Sequence, residues 1–476
     1  MTNLIVLKEN EKYSVNKLMK KFRIDSSQTL SKILTDINDL GLLNINKLKN
    51  NNNINLTKIG IYRLFNELSW GDLNAKITFS FRYVGIIQIY PNLTVICYPK
   101  YFSNRSIIND ANNHYKKFKQ IVKVIQKYKN RQKMSLTNNI YSEENMDILG
   151  LKFQILNKYY ESGLYNREKH ITTINGKGTI DWNKTINGSI AHIINDVPIY
   201  IDLYVNERET DFLNIVSELH GTIVTEISLE LEPILDILDM EKVELTHKMI
   251  SDFGDTDFLV NILENEINHQ FITWKLELLQ ELLSYLEKTS SYHESDIQLF
   301  GTDSFNLLWE DVCSYVYKNH LEFTFCELNI INPKSSNSIK LKDYIEKPKW
   351  QMLDQSFVET NDTLRLDVLN IENGNFNIYD AKYYDITLKN NTIIKQPGVN
   401  DLIKQYLYQL AFKDVIKINN LNPKNAFIIP KDDLVEDSQI FTVAIMDMFH
   451  EINMNLKEIQ VIARDCEIIF DQYLSN

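Results

Sequence analysis

The stretch RLDVLNIENGNFNIYDAKYYDI, from Arg365 to Ile386, holds two strand-like apolar runs on either side of a turn at Gly374-Asn375. A fold that contains it has a β-hairpin there. That hairpin must accommodate Asp367 in its first run and Asp380 in its second, with Lys382 two residues further on. Side chains two apart on a strand share a face, so Asp380 and Lys382 point the same way. Charges inside strand-like segments are unfavourable unless something pairs them. The hairpin is therefore either a buried ion pair or a site built to hold a cation, with both aspartates brought to one end of a sheet.

At 476 residues the chain is too long for a single ordinary core, and two or three domains are expected. Its mean hydropathy of -0.27 and 44% apolar content fit a soluble globular protein. The opening MTNLIVLKENEKYS has an apolar patch too short for a signal peptide, and no membrane-length run follows, so no membrane partner is expected. Cys97, Cys313, Cys326 and Cys466 lie far apart, with no zinc-like spacing to histidine. A reducing, cytoplasmic setting is the expectation.

The net charge of -12 argues against a nucleic-acid partner only until its distribution is considered. Residues 1–70 carry a net +5 and residues 101–140 a net +8, whereas residues 201–300 carry -17. Screening limits the reach of charge to about 10 Å, so the local balance decides binding. The two basic regions are suited to phosphate or to solvated helix faces; the acidic block would avoid DNA.

Three regions follow from the patterning. In residues 1–74, KYSVNKLMKKF and SSQTLSKILTDINDLGLL read as helices. Leu30, Ile33, Leu34, Ile37 and Leu40 form the apolar stripe of the second, Ser26 and Ser27 are its N-cap candidates and Gly41 its stop. With a hairpin-like NINKLKNNNNINLTKIG after them, the layout is winged-helix-like, a module that binds DNA or protein. Residues 75–290 begin with a hairpin about Pro91-Asn92, continue through a basic helix and the loop GKGTIDWNKTI, and end in helices over roughly 214–288. The Gly-x-Gly at Gly176 is no dinucleotide fingerprint, because Asp181 stands where the third glycine belongs, and GxxxxGK[ST] occurs nowhere. Residues 291–476 alternate helix and strand signals, which indicates an α/β domain with a mixed sheet. The fold class expected is thus α+β or α/β multidomain.

Two carboxylates, with water and phosphate as further ligands, suit Mg²⁺. An ammonium beside them can position or deprotonate a metal-bound water and help neutralise a phosphate in its transition state. With 42 lysines and 63 acids, chance would give about six acid-x-Lys triplets. Asp380-Ala381-Lys382 is the sole one. Upstream, Glu310 in LLWED is a candidate third acid, or a solvated helix residue. Downstream, Asp401, Gln405 and Tyr408 share one helix face. Gln405 is placed to hold a water or phosphate, and Tyr408 to pack in the core with a hydroxyl contact.

An aspartate followed about a dozen residues later by Asp-x-Lys resembles the core of the PD-(D/E)xK nucleases. LWEDVC, LRLDVL, YDAKYYD and PGVNDLIKQYLYQLAF resemble the LlaJI-type restriction endonuclease family, itself similar to the McrC nuclease subunit of McrBC-like systems. YVGII, YPKYF, GKGTIDWNKTI and ELH (Glu218 to His220) resemble that family's amino-terminal region. Leu366 departs from the proline usual before the first aspartate, a position that shapes the strand and carries no chemistry. The resemblance implies an Mg²⁺-dependent endonuclease acting on double-stranded DNA in a phage-defence restriction system. Its metal site would be Asp367, Asp380 and Glu310, with Lys382 and Gln405 completing the catalytic set. It also implies a separate McrB-like AAA+ GTPase, docked by the middle region, with Gly176 to Trp182 facing it. Two other readings stay open at this point: a non-catalytic winged-helix regulator, and a repair or RNA-directed nuclease using the same site.

Overall fold

The computed structural model describes the chain except residues 1–2, 48–59, 68–76, 90–92, 104–110, 137–147, 212–213, 292–296, 335, 390–391, 451–455, 457 and 476. The chain packs as two units, one of residues 1–142 with 299–476, the other of residues 143–298. Packing divides at 298, close to the change of sequence pattern at 290, and at 142 rather than near 74. Asn3–Lys8 pairs in parallel with Leu93–Tyr98, and Leu43–Lys47 pairs antiparallel with Ile77–Phe81, so sheets cross the border expected at 74.

In the first unit, helices Val15–Phe22 and Ser27–Asp39 form where the apolar stripes place them. Ser14 Oγ accepts from Lys17 N and Ser26 Oγ from Thr29 N, each satisfying an amide that the helix start leaves open. Gly41, at φ +73°, ends the second helix in a conformation glycine adopts freely. The wing was expected in 44–60, of which 48–59 lie outside the described residues; the described strand pairs with Ile77–Phe81 instead. Val84–Ile89 and Leu93–Tyr98 form the expected hairpin, while its Pro91-Asn92 turn lies outside the described residues.

The C-terminal part of this unit holds a five-stranded sheet. Its order is Val368–Glu372, Asn375–Ala381, Asn422–Lys431, Ile459–Asp465, Ser438–Ala444. The outer junctions are antiparallel and the two inner ones parallel, which is the mixed sheet expected. A parallel junction needs a crossover, and helix Val399–Ala411 supplies it between Asn375–Ala381 and Asn422–Lys431. Alternation along Asn375–Ala381 sorts the core. Phe376 and Ile378 pack with Tyr408 and Phe412 on one face; Tyr379 meets Tyr317 on the other. Each fully buried side chain of this kind contributes roughly 1.5–3 kcal/mol. Helices Phe305–Val316 and Cys466–Leu474 meet through Trp309 and Phe470, and the Trp309 indole N–H donates to Ile428 O at 3.0 Å. Just past the central strand, the Tyr383 hydroxyl donates to the buried carboxylate of Glu9, and Lys100 N donates to Glu9 Oε2 at 3.1 Å. The first residues of the chain are thus tied to the strand that carries Asp380.

The second unit pairs Arg167–Ile174 with Tyr204–Asp211, and the latter with Thr179–Ile180. A Cβ at Gly178 would lie 2.1 Å from Asn206 O, so the Gly-x-Gly serves a close backbone approach between these strands. Helix Trp182–Gly188 and a hairpin, Ala191–Ile194 with Val197–Tyr200, complete this end. Helices Ile148–Ser162, Ile215–Glu230, Thr256–His269 and Thr273–Ser291 form its core. Inside that core, Lys152 pairs with Glu230, and His220 Nδ1 accepts from Tyr165 N at 3.0 Å. No helix among the described residues is long and apolar enough to cross a membrane.

Candidate active site

The loop between the two aspartate-bearing runs has two residues, Asn373 (φ 52°) and Gly374 (φ 74°), with Glu372 paired to Asn375. The turn therefore falls one residue earlier than the sequence reading placed it. A two-residue loop that follows the strand twist needs left-handed backbone at both positions, which Asn and Gly adopt most readily. This loop sets the register: Val368 faces Tyr379, and one step beyond brings Asp367 beside Asp380. Directly opposed residues share a sheet face a few ångströms apart.

The pair is held tightly. Ala381 N donates to Asp367 Oδ2 at 2.9 Å. Asn319 Nδ2 donates to Asp367 O at 2.9 Å while its Oδ1 accepts from Leu369 N at 3.1 Å. Asp380 is 7% exposed. Burial raises the Asp367 carboxyl to about 8; the hydrogen bond and charge of Asp380 add to this, Glu310 adds less, and the Ala381 amide opposes it.

Lys382 Nζ lies 2.8 Å from Asp380 Oδ2 and 3.3 Å from Asp401 Oδ1. Burial works against its charge, but the hydrogen bonds and charges of Asp380 and then Asp401 outweigh it, and its pKa is raised. Asp401 Oδ2 accepts from Gly398 N at 2.9 Å, which fixes the start of helix Val399–Ala411 against the strand end. One turn on, Gln405 is fully buried, and neither atom of its amide has a partner among the described residues. Tyr408 packs in the core and donates to Arg365 O, as expected; burial first, then Asp380 and Asp367, pushes its hydroxyl up to about 12.

Glu310 lies half-buried. Burial raises its carboxyl, the charge of Lys382 opposes and that of Asp380 adds. Among the described residues no three acidic, histidine or cysteine side chains stand close enough to hold an ion by themselves. The structure thus brings Asp367, Asp380 and Lys382 together, with Gln405 and Tyr408 on the adjoining helix face and Glu310 as a neighbour felt through its charge.

Two contributors had no assigned role in the sequence reading. Asp401 lay on the right helix face, and its position in the first turn was the available signal. Asn319, in a loop far from the hairpin, left none. Two buried carboxylates side by side favour a shared proton or a cation, and the neighbouring ammonium favours an anion such as a phosphate.

The basic helix Ala111–Leu136 spends several of its charges internally. Lys117 pairs with Asp432 at 2.6 Å and with Asp433, Arg131 with Asp311 at 3.3 Å, and Lys127 Nζ donates to Tyr473 O at 2.6 Å. Lys123 stays exposed.

In the second unit Asp181 caps helix Trp182–Gly188 through Lys184 N at 3.0 Å. Trp182 is 54% exposed, so it does not pack into that unit's core. In the same unit Ile186, Ile190, Ile193, Val197 and Ile199 also face solvent, with Ile193 on one face of the hairpin and Val197 and Ile199 on the other.

A sequence profile of the LlaJI restriction endonuclease family matches residues 83–465. The chain is 24% identical, over 408 residues, to the Type II restriction enzyme BsuMI component YdjA of Bacillus subtilis, covering 83% of this chain and 81% of that protein. Among solved structures it is similar to a chain of a half-complex of Thermococcus gammatolerans McrB AAA+ hexamers with bound McrC. The identity there is 12%, coverage 99% of this chain and 98% of that one, and the TM-score 0.37. It is also similar to a chain of the Thermococcus gammatolerans McrBC complex, at 14% identity, 67% and 88% coverage and a TM-score of 0.26. The family match runs through both units and spans the paired aspartates, Lys382 and the helix of Gln405: the chain belongs to the LlaJI restriction endonuclease family.

Proposed function

We propose that this chain is the Mg²⁺-dependent DNA endonuclease of a restriction system, with a PD-(D/E)xK active site at the end of its five-stranded sheet. The observation that carries the reading is the pairing of Asp367 with Asp380 out of water, beside the ammonium of Lys382. Family membership supplies the reaction class, and this site is where the chain has the groups to perform it.

The carboxylates fit a divalent ion. Their shared burial disfavours two negative charges, a conflict that a cation relieves. Asp367 and Asp380 would hold Mg²⁺, which when bound polarises the phosphoryl group and makes water more acidic. Two protein carboxylates, with Glu310 as a third nearby acid, leave room for water and phosphate oxygen. Lys382, kept charged by Asp380 and Asp401, is in the state that stabilises negative charge on the phosphate and orients a water, rather than the state that removes a proton. The unpartnered amide of Gln405 offers both a donor and an acceptor for that water or for a phosphate oxygen.

The partner reading rests on other observations. The chain has no phosphate-binding loop to drive its own nucleotide hydrolysis, and its Bacillus relative is described as a component. The exposed apolar side chains of Trp182 and of the hairpin Ala191–Tyr200 offer an McrB-like AAA+ GTPase groups to dock on.

The test is cleavage of plasmid DNA with Mg²⁺, with and without the cognate GTPase and GTP. Asp367→Ala, Asp380→Ala and Lys382→Ala should each lower the rate at least about 10³-fold, or roughly 4 kcal/mol, without unfolding the protein. Normal cutting by any of the three would sink the site. Vigorous cutting by the chain alone, indifferent to GTP and partner, would remove the GTPase from the account.

A further inference from the structure

Beyond the paired aspartates, a second cluster of charge sits against the same strand end. Asp385, three residues after Lys382, receives Lys395 Nζ at 3.0 Å and Lys431 Nζ at 3.5 Å; Lys431 also donates to Ile386 O at 2.6 Å. Lys100 holds its ammonium 4.0 Å from the centre of the Tyr383 ring, and Lys8 donates to Phe102 O. Both act electrostatically on Asp385 and Lys395, so the four ammonium groups form one cluster.

The balance of charge there is uneven. Four lysines face Asp385 and the buried Glu9, and Glu9 is itself raised by burial and hydrogen-bonded by Tyr383. Glu11 and Asp432 also act on Lys8, but Glu11 is held by Lys17 at 2.7 Å and Asp432 by Lys117 at 2.6 Å. Burial lowers Lys8 and Lys100, and repulsion from Lys395 adds to this, so an incoming anion would relieve both. The Lys395 side chain is 60% exposed, which leaves the cluster open to solvent. Its anchors are firm: Lys431 ends a central strand, and Lys100 follows the strand Leu93–Tyr98.

We propose that Lys8, Lys100, Lys395 and Lys431 form a phosphate cradle that grips the DNA backbone beside the phosphodiester to be cut. This rests on the nuclease reading above and adds to it the path of the strand. The DNA backbone would leave the reacting phosphate past Asp385, where the exposed Lys395 stands. The cradle also explains why a chain with net charge -12 can hold a polyanion: the positive groups sit where the strand passes, while Lys117 and Arg131 of Ala111–Leu136 are held by neighbouring acids.

The test measures binding of a fluorescent duplex of about 30 base pairs to the full chain in Ca²⁺, over about 50 to 200 mM salt. Lys100→Ala with Lys395→Ala should weaken binding about tenfold at 100 mM salt. It should also flatten the plot of log affinity against log salt by about 2, one step per lost phosphate contact. Lys100→Arg with Lys395→Arg should restore both, which separates loss of charge from loss of fold. An unchanged slope and affinity in the alanine pair would overturn the cradle, as would an unmodified chain that binds no duplex. Tighter binding of an RNA duplex with the same lysine dependence would overturn the assignment to DNA. If the alanine pair binds normally while Asp380→Ala still abolishes plasmid cleavage, only the cradle falls. If Asp380→Ala cuts normally, the nuclease reading falls with it.

Discussion

At the carboxyl end of the five-stranded sheet two aspartates are held beside each other out of water; on the hairpin Ala191–Tyr200 isoleucines stand in it. Each place departs from the usual sorting of side chains, in opposite directions. Burying like charges and exposing apolar surface both cost stability, and folded chains keep such costs where something else compensates. On the proposed reading, the missing term at the sheet end is a cation and a phosphate, and on the hairpin it is another protein surface. The first site would then supply the chemistry and the second the contact that switches it.

The contrast can be broken or sharpened by four further measurements. The largest effect concerns a buried ionisable group that does follow the usual sorting, His220 in the second unit. Burial lowers it to about 4 from an ordinary 6.5, so it folds neutral. Below pH 6.5 the unfolded chain takes up a proton that the folded chain refuses. Stability from this residue is therefore full above 6.5, falls as the pH drops towards 4, and is level below that, a loss of about 3 kcal/mol. Urea melts of wild type and His220→Gln at pH 7.5 and 4.5 should show a smaller acid loss in the variant. Equal losses would mean that His220 charges freely in the fold.

Next comes Gln405→Leu, which removes a buried amide with no partner. Such a group costs about 1–3 kcal/mol, so thermal stability should hold or rise. DNA cleavage should nevertheless fall about tenfold. Lower stability with normal cutting would make Gln405 a structural residue. Asp181→Ala removes a helix cap and should cost about 1 kcal/mol in denaturant melts. No change would show that the helix Trp182–Gly188 does not depend on it. Smallest in stability is Ile193→Ser with Ile199→Ser, both exposed, expected within about 0.5 kcal/mol of wild type. Stimulation of cleavage by the GTPase should still be lost. Unaltered stimulation would leave the apolar hairpin without its assigned partner.

What the sequence made legible was local. The alternation of apolar residues about a turn read at Gly374-Asn375, one residue from the observed loop, the unique Asp380-Ala381-Lys382 and the spacing of Asp401, Gln405 and Tyr408 each depend on neighbours within a few turns or strands. Ser26 as a cap and Gly41 as a stop belong to the same class. The features that escaped join distant segments. Asn3–Lys8 became a strand because Leu93–Tyr98 offers it an edge, and no periodicity in six residues announces that. Lys117 and Arg131 of Ala111–Leu136 looked like part of a face for phosphate because their acids, Asp432, Asp433 and Asp311, lie 180 to 316 residues downstream. The same reason joined residues 1–74 to the strands that follow them, since side chains record burial but not the identity of the strand they will meet.

The hydrogen bond from Tyr383 to Glu9 spans 374 residues of sequence. A ribosome that has just placed Glu9 must therefore add 374 residues before the residue that holds it exists. At about 5–20 residues per second that interval is roughly 20–75 s. Within it Leu93–Tyr98 is made and Asn3–Lys8 can pair with its edge, while Glu9 waits for Tyr383. A nascent chain of this protein can therefore assemble its amino-terminal sheet well before the strand that carries Asp380 is anchored to it.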